Sequence, residues 1–322
     1  MKNILITSAG QRVSLVKAFQ KEANKVSQNL RIFTVDVNPV LAPACHISDG
    51  FEKIVHANDT QFISNLLSIC KKMNVGIIIP TIDTELLKLA ENIELFEKEN
   101  IKVIISASSF IQKCRDKRVS ADFFVSNGIS IPKAVSKVNP TFPLFIKPYD
   151  GSLSKDIFVI KESSELNSYH LTNEKLIFME FVDPELHDEY TVDAYYNKEH
   201  LLCCAVPRKR IFVRSGEINK GVTRKNQIVA FLKEKLNFIE GAIGCLTIQV
   251  FFNKISEEII GIEINPRFGG GFPLSYLAGA NFPKWIIDEY LLNKNISYND
   301  DWEDNLLMLR YDDEVLVHNY EE

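Results

Sequence analysis

The sequence predicts a mixed α/β (α+β) protein that begins with an open, doubly wound parallel sheet. Short β-branched runs at 4–7, 32–36, 77–80 and 103–106 have the near-continuous apolar character of strands buried on both faces. Amphipathic stretches such as 61–73 and 85–99 lie between them, and this alternation is the mark of helices layered on a parallel sheet. Near residue 108 the texture changes to a helical linker, and the strands beyond it carry charged residues in their interiors. That shift predicts a second, α+β region.

The elements follow in order. The first strand runs into Ser8-Ala9-Gly10-Gln11-Arg12, the position at which open α/β sheets hold ligands. It is not a dinucleotide fingerprint, because G-x-G-x-x-G is absent and Gly10 stands alone. A Rossmann oxidoreductase is disfavoured on that ground. Asp36 closes the second strand where a ribose-binding acid would lie, but alone it reads as a strand-end turn residue. Pro80-Thr81-Ile82-Asp83-Thr84-Glu85 opens a helix that Thr81 or Asp83 can cap. The linker at 108–128 gives way to an extended segment, a strand at 142–148 and a small β-rich region reaching 182. A larger α+β unit follows to about residue 292, and 306–311 reads as a strand returning to it.

At 322 residues the chain has material for two or three compact units, and 46% hydrophobic residues supports full cores. A net charge of -5 argues against non-specific nucleic-acid binding, which needs a basic surface. No apolar run reaches membrane-spanning length, and the apolar start is too short for a signal peptide. A cytoplasmic protein with neither nucleic-acid nor membrane partners is expected, and a homodimer stays open. The six cysteines show no C-x-x-C spacing, so reduced, buried thiols are expected. The six histidines are scattered and none is assigned a role.

Ile260-Gly261-Ile262-Glu263-Ile264-Asn265-Pro266-Arg267-Phe268, followed by Gly269-Gly270-Gly271, is the most informative stretch. Strand alternation puts Glu263, Asn265 and Arg267 on one face, with Ile262 and Ile264 on the other. Glu and Asn offer hard oxygens of the kind Mg²⁺ takes. Arg267 suits anionic oxygens, and the glycines let backbone N–H groups approach a ligand. Lys147 is an isolated cation at the end of an apolar strand and needs an anion nearby. The loop Tyr149-Asp150-Gly151-Ser152-Leu153-Ser154-Lys155 after it reads either as a phosphate cradle or as a hairpin turn. Glu189 reads either as a solvated strand residue or as an acceptor for a vicinal diol. In the basic stretch 206–223, alternation puts Arg208, Arg210 and Arg214 on one face. That stretch is a solvated hairpin or an anion site, with Arg208, Arg214 and Lys220 as the preferred contacts.

E-x-N-P-R on the last strand (Glu263, Asn265, Arg267), Gln249 one strand earlier, Lys147, and Asp116-Lys117 together resemble the ATP-grasp superfamily. The match is to ligases similar to the synthetase unit of carbamoyl phosphate synthase and to biotin carboxylase. The resemblance implies a pre-ATP-grasp domain at 1–110, a small lid subdomain at 111–185, and a large subdomain with its tail at 186–322. It implies ATP and Mg²⁺, with Mn²⁺ an acceptable substitute, and small-molecule carboxylate and amine (or other nucleophile) substrates. ADP and phosphate would be released through an acyl phosphate. By the same resemblance Lys117, Lys147, Gly151 and Ser152 meet the phosphates. Glu180, Phe181 and Val182 meet the adenine edge and Glu189 the ribose, while Gln249, Glu263 and Asn265 hold the metal. Arg267, Arg214, Lys220 and Arg208 serve the transferring group and the acceptor, and the Thr81–Glu85 loop faces the acceptor site. Leu153 and Asp156 depart from the glycine-rich family loop. A carbamoyl-phosphate-forming enzyme and a non-catalytic nucleotide-binding regulator are the alternatives.

Overall fold

The computed structural model describes residues 2–151, 156–214 and 216–320. Its first sheet contains β1 (Asn3–Thr7), β2 (Ile32–Asp36), β3 (Phe51–Lys53), β4 (Val75–Ile79) and β5 (Lys102–Val103), all parallel. The order β3-β2-β1-β4-β5 winds outward from β1 in both directions. The loops after β1 and β4 therefore open onto one crevice, the switch point of such a sheet. β4 is buried along its whole length, which explains its unbroken Val-Gly-Ile-Ile-Ile composition. Around the sheet lie α1 (Val13–Val26), α2 (Pro43–His46), α3 (Phe62–Lys72), α4 (Asp83–Glu91) and α5 (Ile93–Lys98).

Three details differ from the sequence reading. The helix expected over 85–99 breaks at Asn92, whose side chain donates to the Lys88 carbonyl at 2.8 Å and competes with the next turn. The run 103–106 leaves the sheet after Val103. There the Ser106 hydroxyl takes the Ile243 N–H at 3.1 Å, and the Ala107 N–H donates to the Gly241 carbonyl at 2.7 Å. β3 is a short edge strand that the periodicity did not signal.

α6 (Ser108–Arg115) and α7 (Lys117–Ser126) follow, with the Asp116 carboxylate capping α7 by accepting the Arg118 N–H at 2.9 Å. A three-stranded antiparallel sheet, ordered β7-β6-β8, contains β6 (Leu144–Pro148), β7 (Phe158–Ile160) and β8 (Leu176–Glu180), with α8 (Ser168–Thr172) before its last strand. The remainder is built from β9 (His187–Tyr196), β10 (Leu202–Arg214), β11 (Glu217–Thr223), α9 (Gln227–Lys235), β12 (Gly244–Asn253) and β13 (Ile259–Asn265). α10 (Phe272–Leu277), α11 (Phe282–Tyr290) and β14 (Leu307–Leu309) complete it. Its sheet is antiparallel, in the order β13-β12-β9-β10-β11-β14. α7 packs against β13, and Ser130 bridges to Ile260, so the approach to the small sheet is anchored on the large one.

The large sheet has two unlike faces. One carries Val192, Ala194, Leu246, Ile248, Val250 and Ile264, packed with Phe110, Phe124, Ile228 and Leu232 of α6, α7 and α9. Register places Glu189, Thr191, Asp193, Thr247, Gln249, Glu263, Asn265, Arg208 and Arg210 on the other. Toward one end this polar face turns apolar at Tyr195, Cys204 and Cys245. There it shares a single core with Ile4, Ile6 and Phe19 of the first unit and Phe268, Phe272 and Phe282. Each fully buried side chain of that size contributes about 1.5–3 kcal/mol by leaving water. Among the described residues no helix is long and apolar enough to cross a membrane.

Candidate functional site

The polar face gathers its chemistry where β13, β12 and β9 lie side by side. Gln249 and Glu263 are direct cross-strand partners, and Asn265 follows Glu263 two residues on. Glu263 Oε1 accepts from Gln249 Nε2 at 2.9 Å and from Asn265 Nδ2 at 3.0 Å. Its other oxygen lies 3.8 Å from Lys117 Nζ. Lys117 also donates to the Gly151 carbonyl at 2.5 Å, at the mouth of the loop. Ser152, together with Leu153, lies outside the described residues. Among those described, no group of three or more His, Cys, Asp or Glu side chains is placed to hold a metal ion. The donor set for a hard cation is one carboxylate and two amides, which suits Mg²⁺.

Lys147 ends β6 almost fully buried. Burial lowers its pKa from the ordinary lysine value, Glu263 and Glu189 pull it back up, and Lys117 lowers it further. It opens into an apolar slot lined by Ala121, Phe124, Ile131, Ile177, Met179 and Ile262, with Lys117 beside it. Ile262 is there because of a β-bulge. Glu263 pairs with Gln249 but Gly261 with Val250, leaving Ile262 as the extra residue. This corrects the expectation that Ile262 and Ile264 share a face, since Ile264 is in the core and Ile262 looks into the slot. Gly261 belongs to the same fit, because a Cβ there would lie 2.8 Å from the Phe124 ring. At the outer edge the Glu180 carboxylate accepts the Lys133 N–H at 2.9 Å. Among the described residues, no hydrogen bond engages the amide N–H of Phe181 or Val182.

Glu189 is paired with Arg210 at 3.0 Å, and Arg210 also reaches Gln249 Oε1 and the Gly216 carbonyl, each at 3.4 Å. Burial raises the Glu189 pKa above its ordinary value, Arg210 opposes this, and Glu263 adds to it. Arg210 Nε is buried with no partner among the described residues.

The structure corrects three choices from the basic stretch. Arg208 is sealed from solvent, and its Nε and Nη2 bind both oxygens of buried Asp193 at 2.8 and 2.9 Å. Ser275 donates to the same carboxylate at 2.5 Å. A guanidinium so committed holds the fold together and does not reach a substrate. Arg214 is exposed and paired with Asp312, and Lys220 is exposed beside the Phe212 ring. The reason is local: the β10–β11 ladder slips twice between Arg210 and Val213, so the alternation that aligned Arg214 with Arg208 is lost. Arg210 is the member of the stretch that lies among Glu189 and Gln249. Its place on the Arg208 face was the available signal.

Arg267 leaves the end of β13 toward the first unit and binds Asp83 bidentately at 2.9 and 3.1 Å. Burial lowers its pKa, but Asp83 outweighs this and holds it above the ordinary arginine value. Neither Thr81 nor Asp83 caps α4 with its side chain. Glu85 serves instead, accepting the Thr81 N–H at 2.8 Å and the Ile82 N–H at 3.3 Å. It also accepts the Thr7 and Ser8 hydroxyls, each at 2.9 Å. Asp36 accepts the Gly10 and Asn38 N–H groups at 3.0 Å, as a turn residue does. Arg12, which sequence reasoning left unassigned, stands 3.8 Å from Glu217.

A slot between a small and a large antiparallel sheet, two lysines at its mouth and a carboxamide–carboxylate trio beyond them make the arrangement of an ATP-grasp module behind a parallel-sheet domain. Residues 172–311 match the family described as ATP-grasp in the biosynthetic pathway with Ter operon, and residues 4–104 match the PylC-like N-terminal domain. The chain thus carries an ATP-grasp region behind a PylC-like N-terminal domain. No curated protein matches its sequence. Its fold is similar to the biotin carboxylase domain of Hydrogenobacter thermophilus 2-oxoglutarate carboxylase, solved with MgADP and bicarbonate (TM-score 0.72, 12% identity, 95% of this chain and 73% of that one). It is also similar to L-amino acid ligase from Bacillus licheniformis (TM-score 0.66, 15% identity, 90% and 74%). Rhizobium etli pyruvate carboxylase shares the fold too (TM-score 0.64, 12% identity), and 87% of this chain covers 27% of that longer one.

Proposed function

We propose that the protein is an ATP-dependent ligase that activates a carboxylate as an acyl phosphate and joins it to an amine or another nucleophile. ADP and phosphate are the co-products. The observation that carries this reading is the Gln249–Glu263–Asn265 trio with Lys117 at 3.8 Å from Glu263, at the mouth of an apolar slot. The slot takes the adenine, with the free Phe181 and Val182 amides at its edge. Glu189 accepts the ribose hydroxyls after exchanging Arg210 for them, which leaves Arg210 to face phosphate oxygens. Lys117 and Lys147 bind phosphates.

Glu263, Asn265 and Gln249 would hold Mg²⁺, their two amides turning oxygens outward in place of the N–H groups now on Glu263. That ion, when bound, neutralises charge on the phosphates as the terminal group transfers. Arg267, held by Asp83, stabilises the charge that develops on the acyl phosphate. The ligase-class relatives of similar fold support the reading, as does the intact E-x-N-P-R motif. Hydroxylamine tests it. With MgATP and a panel of carboxylic acids, one acid should give a hydroxamate together with ADP and phosphate. AMP and pyrophosphate would mean adenylation, and a phosphorylated hydroxyl product with no hydroxamate would mean a kinase. Either result refutes the acyl-phosphate reading.

A further inference from the structure

Beyond Arg267 the crevice between the first unit and the large sheet contains a second ionic group that the chemistry above does not use. Glu217 opens β11 with its carboxylate against Gly270, so closely that a Cβ at Gly270 would lie 2.0 Å from it. Two guanidiniums from distant parts of the chain converge on that carboxylate. Arg12 comes from the loop after β1 at 3.8 Å, and Arg310 from just beyond β14 at 3.4 Å. Arg310 also donates to the Ile218 carbonyl at 3.3 Å, which fixes its direction. Arg12 is largely buried, and no hydrogen bond from its side chain is made among the described residues. Burial lowers its pKa, Glu217 pulls it up, and Arg267 and Arg310 push it down, so Glu217 under-compensates it. Three guanidiniums, Arg12, Arg267 and Arg310, thus share this crevice with two carboxylates, Asp83 and Glu217.

Resting on the ligase reading, we infer that Arg12 and Arg310 form a subsite for a carboxylate that is recognised but never activated, and that Glu217 occupies it until substrate arrives. The amine substrate is therefore itself an acid, an amino acid whose amine reacts and whose carboxylate is held. The ammonium group first gives up one proton to free its lone pair, the nitrogen forms the new C–N bond, the acyl C–O bond to phosphate breaks with phosphate taking the electron pair, and a second proton leaves the nitrogen for solvent. The product is an amide that keeps a free carboxylate. Glu217, displaced from the two arginines, is then within reach of the incoming ammonium group.

The test compares nucleophiles. ADP release is measured with the panel of acids and either the twenty L-amino acids or their carboxamides as amines, for the parent, Arg12→Gln and Arg310→Gln. Hydroxamate formation, which needs no carboxylate on the nucleophile, is measured alongside. The expected result is turnover with amino acids and little with carboxamides. Each variant should show at least a tenfold rise in KM for the amino acid, with the KM for ATP and the hydroxamate yield unchanged. Melting curves matching the parent keep a folding defect from imitating the result. Equal use of amino acids and carboxamides by the parent, or unchanged KM in both variants, would overturn the subsite while leaving the ligase reading intact. Absence of hydroxamate with every acid would remove both.

Discussion

Replacing Lys147 with Met separates a binding residue from a structural one. Lys147 is 7% exposed and its pKa is lowered chiefly by burial, so the fold carries the charge at a cost. Methionine has similar length and no charge to desolvate. The unliganded variant should therefore match or exceed the parent in stability, by about 1 kcal/mol, because exchanging a poorly compensated buried charge for an apolar chain is often neutral or favourable. Nucleotide binding should fall. A charge-assisted hydrogen bond is worth about 1.5–3 kcal/mol, which converts to a loss of about 10- to 150-fold in affinity for MgATP. The sign of the pH effect follows from the lowered pKa. From the depressed folded value up to the ordinary 10.5, the unfolded chain binds more protons than the native one, so the parent gains stability as pH rises through that window. The Met variant lacks this gain. Calorimetric titration with MgATP, and urea unfolding at about pH 7 and about pH 9.5, measure both effects. Affinity within about twofold of the parent, with a lowered unfolding midpoint, would mean that Lys147 is a core residue and that the slot is not a nucleotide pocket.

Three further substitutions probe the frame. Glu263→Gln keeps the shape of the trio and removes its charge, so ADP release at saturating Mg²⁺ should fall by about 10²–10³-fold while part of the nucleotide affinity survives. Arg208→Ala should cost about 3–5 kcal/mol in urea unfolding because it strands Asp193, which is 0% exposed. Arg208→Met combined with Asp193→Leu should recover most of that, as a structural pair predicts. Gly261→Ala forces a methyl to 2.8 Å from the Phe124 ring, so a loss of about 1–3 kcal/mol is expected together with weaker nucleotide binding, and Phe124→Leu should restore part of each.

The parts of this molecule that were legible in sequence are those governed by a simple period. Buried parallel strands are apolar throughout, and half-polar antiparallel ones alternate, so β1, β2 and β4 and the faces of Gln249, Glu263 and Asn265 could be read directly. What failed was whatever interrupts the period. One extra residue moved Ile262 into the slot, and two slips in the β10–β11 ladder carried Arg214 away from Arg210. A glycine flanks each irregularity, Gly261 beside Ile262 and Gly221 opposite Arg210, but a glycine in a strand does not say which residue is extra or how far the register moves. The long-range partners were equally hidden. Asp83 and Arg267 lie 184 residues apart, and nothing local to either says whether its charge meets solvent or the other. Arg12 carries no local signal, since a single arginine after a strand is commonplace, and its place in the crevice comes from the distant segments that bring Glu217 and Arg267 to it.

The core that runs from Ile4 and Phe19 across to Tyr195, Phe272 and Phe282 has a consequence for how the chain can come apart. The first unit is not a bead on a string. To detach it would expose the aromatic floor on which it stands, and a fragment ending before the helical linker would carry that floor's complement into water. The six free thiols, all buried, are already placed to watch this. Cys45 shares the common core with Cys204 and Cys245, Cys70 lies across the parallel sheet, and Cys114, within α6, faces the core under the large sheet. If the two halves open as one, a thiol reagent will label Cys45 and Cys245 on a single clock. The chain's cooperativity can then be timed residue by residue, without adding any probe to it.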